Sequence, residues 1–260
     1  MMLASSSIIE HMPPEIMHLI VWYLPRDRDI VAFKRAFKPG SVHGIAIEAA
    51  LRIRRMQLLG IANRWVDSAN GALAVAGSAA MPGFNDFADV DIFVLNAGAD
   101  IQYPTVDGVP VPPVRSDEVD PRYPVSIHVT TIVIPFYGKL QLVRYVDPDT
   151  ADGDDHASGI GADVVSKTLP SILDDFDIPY AAVGYAHTGQ LQYGSHYGSG
   201  VYSCCVIKKA PPEFRWSAVQ QAIRRARRYM FKYGLELDTT ELAGYAEKYR
   251  AGWSLRLKSQ

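Results

Sequence analysis

The sequence has little cysteine and little net charge, and each shortage excludes a class of protein. Its two cysteines, Cys204 and Cys205, are adjacent. We predict that they alternate across a strand as packing residues without a bridge, which excludes a disulfide scaffold and is typical of a reducing compartment. A formal net charge of −2 over 260 residues gives no overall attraction to nucleic acid. Any such binding therefore needs a local basic surface.

A long apolar run is also missing. The longest one near the start, residues 16–24, is interrupted by His18 and is too short to cross a membrane. No basic region and cleavage site precede it, so we expect no secretory signal. Hydrophobic content of 48% and charged content of 21% are ordinary for a globular protein. We therefore expect an intracellular, cytoplasmic protein with no membrane partner.

Two short motifs lack the spacing that their chemistry needs. Residues 147–163 are acidic and contain glycine, but the aspartates miss the positions 1, 3 and 5 and the glutamate at 12 of a calcium loop. Residues 194–198, Gly-Ser-His-Tyr-Gly, place serine second rather than third, which excludes a nucleophile elbow. The surrounding glycine- and tyrosine-rich segment favours a hairpin, with a base-stacking platform as the alternative.

The most informative stretch is residues 73–94, which we predict to form a strand, a Gly77-Ser78 turn and a second strand. Asp89 and Asp91 occupy alternate positions of the second strand, so they share one face while apolar residues occupy the other. Two like charges on one face repel unless a cation lies between them, and carboxylate oxygens suit magnesium. Gly77 permits a close approach of the backbone to a ligand, and Ser78 offers a hydroxyl.

This arrangement resembles the nucleotidyltransferase superfamily of the DNA polymerase beta type. The family pattern is an apolar strand, Gly-Ser, about ten residues and then Asp-apolar-Asp-apolar; here it is Ala76-Gly77-Ser78, ten residues and Asp89-Val90-Asp91-Ile92. A third carboxylate on a later strand is supplied by Phe176-Asp177-Ile178, although Pro179 makes that strand an edge or a bulge.

The resemblance implies a reaction and a set of roles. A nucleoside monophosphate is transferred from a nucleoside triphosphate (NTP) to an unknown acceptor, RNA or protein. Asp89, Asp91 and Asp177 hold two Mg²⁺ ions, Gly77 and Ser78 hold the triphosphate, and Asp177 accepts the proton of the acceptor hydroxyl.

A wider part of the chain is similar to nucleotidyltransferase-like domains of large DNA viruses. The matching segments are residues 139–143, 176–185, 224–228 and 232–235, so the resemblance covers most of residues 70–238. It implies an α+β fold, in which a mixed sheet forms the core and helices flank it. It also suggests a giant-virus protein, located in the host cytoplasm or the virion.

The N-terminal residues resemble an F-box. The family opens with Leu-Pro-Pro-Glu-Ile before two short helices, and here Met12-Pro-Pro-Glu-Ile16 precedes predicted helices that end near Leu24 and Phe37. The resemblance implies that residues 9–37 bind a Skp1-type adaptor of a ubiquitin ligase. The alternative is a helical hairpin packed on the main domain. We therefore predict an F-box-like module at 1–40 and a nucleotidyltransferase-like domain at 41–260, with insertions at 96–124 and 147–163.

Two further helices carry clusters of arginine. An amphipathic helix is predicted over residues 45–69, with Arg52, Arg54 and Arg55 on its solvated face; the alternative is that one of them faces phosphate. A second helix, over residues 216–233, carries a basic face that consists of Arg224, Arg225, Arg227, Arg228 and Lys232. Such a face is usually solvated, and its alternative role is to hold triphosphate or the backbone of an acceptor RNA.

Two functions therefore remain open. The first is the magnesium-dependent nucleotidyltransferase. The second is a catalytically inactive binding module with the same fold: an F-box substrate adaptor of a ubiquitin ligase, or a viral structural or host-interaction protein. The Pro179 anomaly and the proline-rich insertion at 96–124 favour the second function.

Overall fold

The computed structural model describes residues 12–24, 27–37, 40–83, 87, 89–119, 126–147, 164–187, 189–210 and 212–249. The α-helices in this part of the chain are α1 (Pro14–Tyr23), α2 (Asp27–Lys34), α3 (Val42–Ser68), α4 (Leu169–Asp174), α5 (Cys205–Lys209), α6 (Arg215–Arg227) and α7 (Thr240–Lys248). Short 3₁₀ turns lie at Gly77–Ala80, Pro179–Ala181 and Pro212–Phe214, and a π-helix at Arg228–Lys232 extends α6.

In the described part of the chain, nine strands form a large sheet and a small one. The strands are β1 (Leu73–Ala76), β2 (Asp89–Val94), β3 (Thr105–Val106), β4 (Val109–Pro110), β5 (Arg115–Val119), β6 (Ser126–Ile134), β7 (Gly138–Val146), β8 (Val183–Ala186) and β9 (Gln192–Tyr193). The large sheet has the order β5-β6-β7-β2-β1-β8-β9. Among the strand pairs that the structure describes in this sheet, only β2–β7 is parallel. The predicted α+β class, with a mixed sheet and flanking helices, is confirmed.

The long helix α3 covers one face of the sheet. Its N-terminus is capped by the Ser41 hydroxyl, which accepts a hydrogen bond from the Gly44 amide at 3.1 Å. Leu58, Ile61 and Trp65 on its second half join the largest apolar core, together with the inward residues of β1, β2, β6 and β7. The helix predicted over residues 45–69 is thus confirmed, and it supports the two central strands that carry the candidate site.

The N-terminal helices pack on the first half of α3. Met17 and Val21 of α1 and Ile30 of α2 are fully buried against Ile47 and Ala50 of α3. Pro14 lies in the first turn of α1, where its missing N–H costs no hydrogen bond. Residues 1–11 lie outside the described part of the chain. The F-box-like module and its boundary at residue 40 remain predictions.

Arg54 is not part of a solvated face, which corrects that prediction. Its side chain is 1% exposed, and its Nη1 atom donates to the carbonyl oxygens of Leu24 at 2.8 Å and Val21 at 3.4 Å. The last carbonyls of a helix have no partner within it, so Arg54 caps the end of α1. Arg52, two residues away, is exposed as predicted.

The predicted insertion at 96–124 carries ordered structure up to residue 119. β3 and β4 form a small hairpin, and β5 pairs with β6 at one edge of the large sheet. Trp65 of α3 donates from Nε1 to the Gln102 carbonyl at 2.6 Å, which fastens this segment to the core. Residues 120–124, and nearly all of the second predicted insertion at 147–163, lie outside the described residues.

The C-terminal helices form a separate apolar cluster. Residues of α5, α6 and α7, among them Ile207, Val219 and Leu242, are buried together. Cys205 begins α5 and Cys204 precedes it, so the predicted strand at these cysteines is wrong; both thiols are free. No helix in the described ranges is long and apolar enough to span a membrane.

Candidate functional site

The β1–turn–β2 unit places Asp89 and Asp91 as the alternation of the sequence predicts. Both side chains are half-buried on one face of β2, while Val90 and Ile92 are fully buried on the other. The turn between the strands begins at Gly77, whose φ is +82°. A Cβ atom built on Gly77 would lie 3.2 Å from the Phe176 ring and 3.4 Å from Asp91 Oδ2. Gly77 therefore allows the turn to lie directly against the Asp91 carboxylate.

A cavity of about 150 Å³ opens beside Asp91. Its polar lining contains two of the predicted carboxylates, Asp91 and Asp177, together with Arg225. The full lining is Asp91, Phe93, Ile127, Val129, Gln141, Val143, Tyr145, Asp175, Phe176, Asp177, Cys205, Val206, Lys209 and Arg225. Asp89, Gly77 and Ser78 do not line the cavity.

Asp177 lies in a loop and not on a strand, which corrects the prediction of a strand over residues 176–185. Pro179 starts a 3₁₀ turn, and β8 begins only at Val183. The Asp177 side chain is 2% exposed, and the Tyr202 hydroxyl donates to its Oδ2 atom at 2.5 Å. Arg225 Nη2 lies 2.9 Å from Asp177 Oδ1 as an ion pair. Oδ2 is thus hydrogen-bonded, whereas the buried Oδ1 has the charge of Arg225 beside it but accepts no hydrogen bond from the described residues.

The Tyr202 hydroxyl is held in its neutral, donating form. The side chain is buried, and burial raises the pKa of Tyr202 far above its ordinary value, with a further rise from the Asp177 charge. A phenol that stays protonated remains a donor to the carboxylate at any physiological pH. Tyr202 therefore fixes the orientation of Asp177, a role that its position at the end of a glycine-rich segment did not indicate.

The ionised form of the Asp91 carboxyl group is electrostatically unfavourable. Burial, and after it the neighbouring Asp89 charge, raise the pKa of Asp91 from 3.8 to about 7, although Arg225 opposes both effects. A carboxyl group with a pKa near 7 is only partly ionised at neutral pH. An added cation beside Asp89 and Asp91 would lower this pKa and stabilise the ionised form.

Arg225 corrects the prediction of a uniformly solvated basic helix. It projects from α6 into the cavity and pairs with Asp177, whereas Arg224, Arg227 and Arg228 on the same helix are exposed. The side chain of Lys232 lies outside the described set. Helical periodicity placed all of these cations on α6, but it could not show which one faced a carboxylate.

A second acidic group lines the cavity beside this pair. Asp175 pairs with Lys167 at 2.9 Å and with Lys209 from the last turn of α5. The Lys167 ammonium also lies 4.0 Å from the centre of the Tyr145 ring. Sequence reasoning missed all of these residues, because they come together from segments far apart in the chain. The one available signal was the adjacency of Asp175 to Phe176-Asp177.

Gln141 is the remaining polar residue near the aspartates. The parallel β2–β7 pair sets Asp91 directly opposite Gln141, and the Gln141 side chain lines the cavity. Its amide offers both donors and an acceptor to a ligand. The cavity thus presents carboxylates, an amide and two cations within one small volume.

The predicted metal ligands are only partly assembled. Within the described ranges, no group of three or more histidine, cysteine, aspartate or glutamate side chains is positioned to hold a metal ion. Asp89 and Asp91 form a pair on β2, and Asp177 lies across the cavity with Arg225 on its Oδ1 atom. Any ion that used all three carboxylates would have to displace that guanidinium.

Comparison with known proteins gives no relative to argue from. No family model, no curated protein and no solved structure matches this chain. The chemistry of the cavity therefore carries the functional argument.

Proposed function

We propose that this protein is a metal-dependent nucleotidyltransferase that moves a nucleoside monophosphate from NTP to an acceptor. One observation supports the proposal above the others: Asp91 and Asp177, far apart in sequence, line the same cavity. Asp89 lies within electrostatic reach of Asp91, and the Gly77 turn lies against the Asp91 carboxylate. Carboxylates that face one cavity beside a glycine turn suit a site for metal-bound phosphates.

The residues present fit Mg²⁺ at Asp89 and Asp91. Their mutual repulsion, together with the burial of Asp91, makes the pair costly without a nearby cation. Mg²⁺ commonly uses one or two carboxylates and takes its remaining ligands from water and substrate phosphates. Bound there, up to two ions would neutralise the charge that develops on phosphoryl oxygens. Asp177 becomes available as a third ligand only when Arg225 moves away from it.

The remaining roles belong to the chain itself. Gly77 and Ser78 provide the backbone and hydroxyl donors that would hold the triphosphate against β2. Arg225, once released from Asp177, and Lys209 line the same cavity and would pair with phosphate oxygens. Asp177 stays oriented by Tyr202, so it can accept the proton of an acceptor hydroxyl.

A second candidate function is a binding module without catalysis. The specific observation in its favour is the Arg225–Asp177 ion pair, which supplies the positive charge that a metal would otherwise bring. In this case the N-terminal helices provide the surface that carries the function. Ile16, Leu19 and Tyr23 of α1 are exposed and would contact a Skp1-type adaptor, so that the chain delivers a bound protein for ubiquitination. A viral structural or host-interaction role belongs to the same class.

Thermal melting with Mg²⁺ and each of the four ribonucleoside triphosphates tests the proposal. A ligand that binds only the folded state, at a hundred times its dissociation constant, adds about 2.7 kcal/mol of stability. For a chain of this size that raises the melting temperature by roughly 5–10 °C. We expect such a shift with at least one triphosphate, only when Mg²⁺ is present, and we expect Asp89→Asn to abolish it.

The matched control is Asp107→Asn. Asp107 is an exposed turn residue with φ of 51°, a conformation that asparagine also adopts readily. This variant should keep the full ligand-induced shift. If the unmodified protein shows no magnesium-dependent shift with any triphosphate, the transferase proposal is overturned and the binding module is favoured.

A further inference from the structure

The outer face of α6 carries an exposed row of cations. Arg224, Arg227 and Arg228, called here the arginine stripe, follow the i, i+3, i+4 spacing that brings side chains to one face of a helix. All three are exposed, and none forms an ion pair with a carboxylate in the described part of the chain. The stripe is therefore a local concentration of positive charge on a protein whose net charge is −2.

An exposed aromatic ring continues the stripe. Phe231 follows Arg228 by one turn and is 81% exposed, more than any other large apolar side chain in the described ranges. It belongs to the π-helix Arg228–Lys232, a rare element that is often found at functional sites. Most of its ring is therefore exposed to water, and it lies beside cations that have no acidic partner among the described residues.

We infer that the arginine stripe and Phe231 bind single-stranded RNA. Guanidinium groups pair with successive backbone phosphates, and an exposed aromatic ring stacks on an unpaired base. A duplex offers only its phosphates, because its bases are already stacked and paired. Three exposed cations without a carboxylate partner in the described ranges, next to one exposed ring, therefore fit a single strand better than a duplex.

The stripe shares its helix with one residue of the cavity, Arg225. Arg225, on the same helix, turns inward to Asp177, while its neighbours Arg224 and Arg227 turn outward. The inference that RNA is the acceptor of the transfer reaction depends on the proposed function. The inference that the arginine stripe and Phe231 bind RNA does not depend on it.

Fluorescence anisotropy with a labelled 12-nucleotide single-stranded RNA, in EDTA, tests the inference. Three phosphate contacts predict a slope of about −2 for the logarithm of affinity against the logarithm of salt concentration. The triple variant Arg224→Gln/Arg227→Gln/Arg228→Gln should lose about 100-fold in affinity at 0.1 M salt, since that slope contributes two decades. Glutamine is a good helix former, so α6 should stay folded.

The matched control removes three exposed arginines elsewhere. Arg35→Gln/Arg52→Gln/Arg64→Gln makes the same change in net charge away from α6, and all three side chains are exposed. It should keep the affinity of the unmodified protein within about two-fold. An equal loss in both triple variants would show a general charge effect and overturn the inference.

Phe231→Ala separates stacking from charge. We expect it to weaken single-stranded RNA binding roughly five-fold or more, with an unchanged salt slope and unchanged duplex binding. Equal binding of single strands and duplexes by the unmodified protein would contradict the inference. So would stripe-dependent binding to phosphatidylserine vesicles in the absence of RNA binding, which indicates an anionic membrane surface instead.

The proposed metal site and the inferred RNA-binding surface can be refuted independently of each other. Asp89→Asn should bind the RNA as the unmodified protein does, although it loses the magnesium-dependent triphosphate shift. A triphosphate shift without RNA binding overturns the RNA inference and leaves the transferase proposal standing. Stripe-dependent RNA binding without a triphosphate shift supports the RNA inference and overturns the transferase.

Discussion

Replacing Asp177 with leucine should lower the free energy of unfolding by about 2–4 kcal/mol. The substitution leaves the buried Tyr202 hydroxyl without its acceptor and removes the ion-pair partner of Arg225. Arg225 retains some contact with water, which limits the cost to less than that of a fully buried charge. Urea denaturation followed by circular dichroism measures the change. Asp67→Leu, at an exposed carboxylate, should change stability by less than about 0.5 kcal/mol.

A double variant measures how much of this loss of stability comes from the contact between Asp177 and Arg225. Because Arg225 and Asp177 contact each other, Asp177→Leu/Arg225→Met should be less destabilised than the sum of the single variants by about 1–3 kcal/mol. Additive losses would mean that the ion pair contributes no specific stability, contrary to the geometry of the cavity. Strong coupling would show that the guanidinium is the cation that stabilises Asp177 in the absence of ligand.

Replacing Asp91 with asparagine should have the opposite effect on stability. Asp91 has its pKa raised from 3.8 to about 7, mainly by burial and then by Asp89, so the folded state holds its proton more tightly than the unfolded state. Stability therefore falls as pH rises from about 4 through about 7, and then levels off. Asparagine imitates the protonated carboxyl group and avoids this loss. We expect Asp91→Asn to be more stable than the unmodified protein at pH 8 by about 1–3 kcal/mol.

The pH dependence is the critical part of this prediction. The advantage of Asp91→Asn should shrink below pH 7 and be small at pH 4, where Asp91 is protonated in the folded state and about half protonated in the unfolded state. Melting temperatures from pH 4 to pH 8 without metal measure it, and Asp107→Asn should show no comparable trend. A loss of stability at pH 8 would mean that ionised Asp91 is well compensated within the protein. A gain in stability at pH 8 would show that the ionised Asp91 side chain destabilises the fold, as functional residues often do.

The parts of the site that the sequence predicted are those set by local periodicity. Asp89 and Asp91 stand at alternate positions among buried apolar residues, and a strand leaves them only one common face. Gly77 precedes them at a turn that needs a positive φ, so its place was also predictable.

The rest of the site depends on contacts between distant segments. Asp177 was expected on a strand, but Pro179 redirects the chain into a 3₁₀ turn, and the neighbour that then orients the carboxylate is Tyr202. Arg54 and Arg225 each belong to an arginine cluster, and nothing in helical spacing shows that one meets the end of α1 and the other a buried carboxylate. Such pairings are decided by tertiary packing and are not visible in local sequence patterns.

The most direct test of the proposed site is a Mn²⁺ titration followed by electron paramagnetic resonance, with and without a non-hydrolysable triphosphate. Mn²⁺ accepts the same oxygen ligands as Mg²⁺. At pH 8, where Asp91 is ionised, we predict that the unmodified protein binds Mn²⁺ when the triphosphate is present and that Asp91→Asn, although stably folded, does not. Equal Mn²⁺ binding by the two proteins, or none by either, would contradict the assignment of Asp89 and Asp91 as the metal-binding pair.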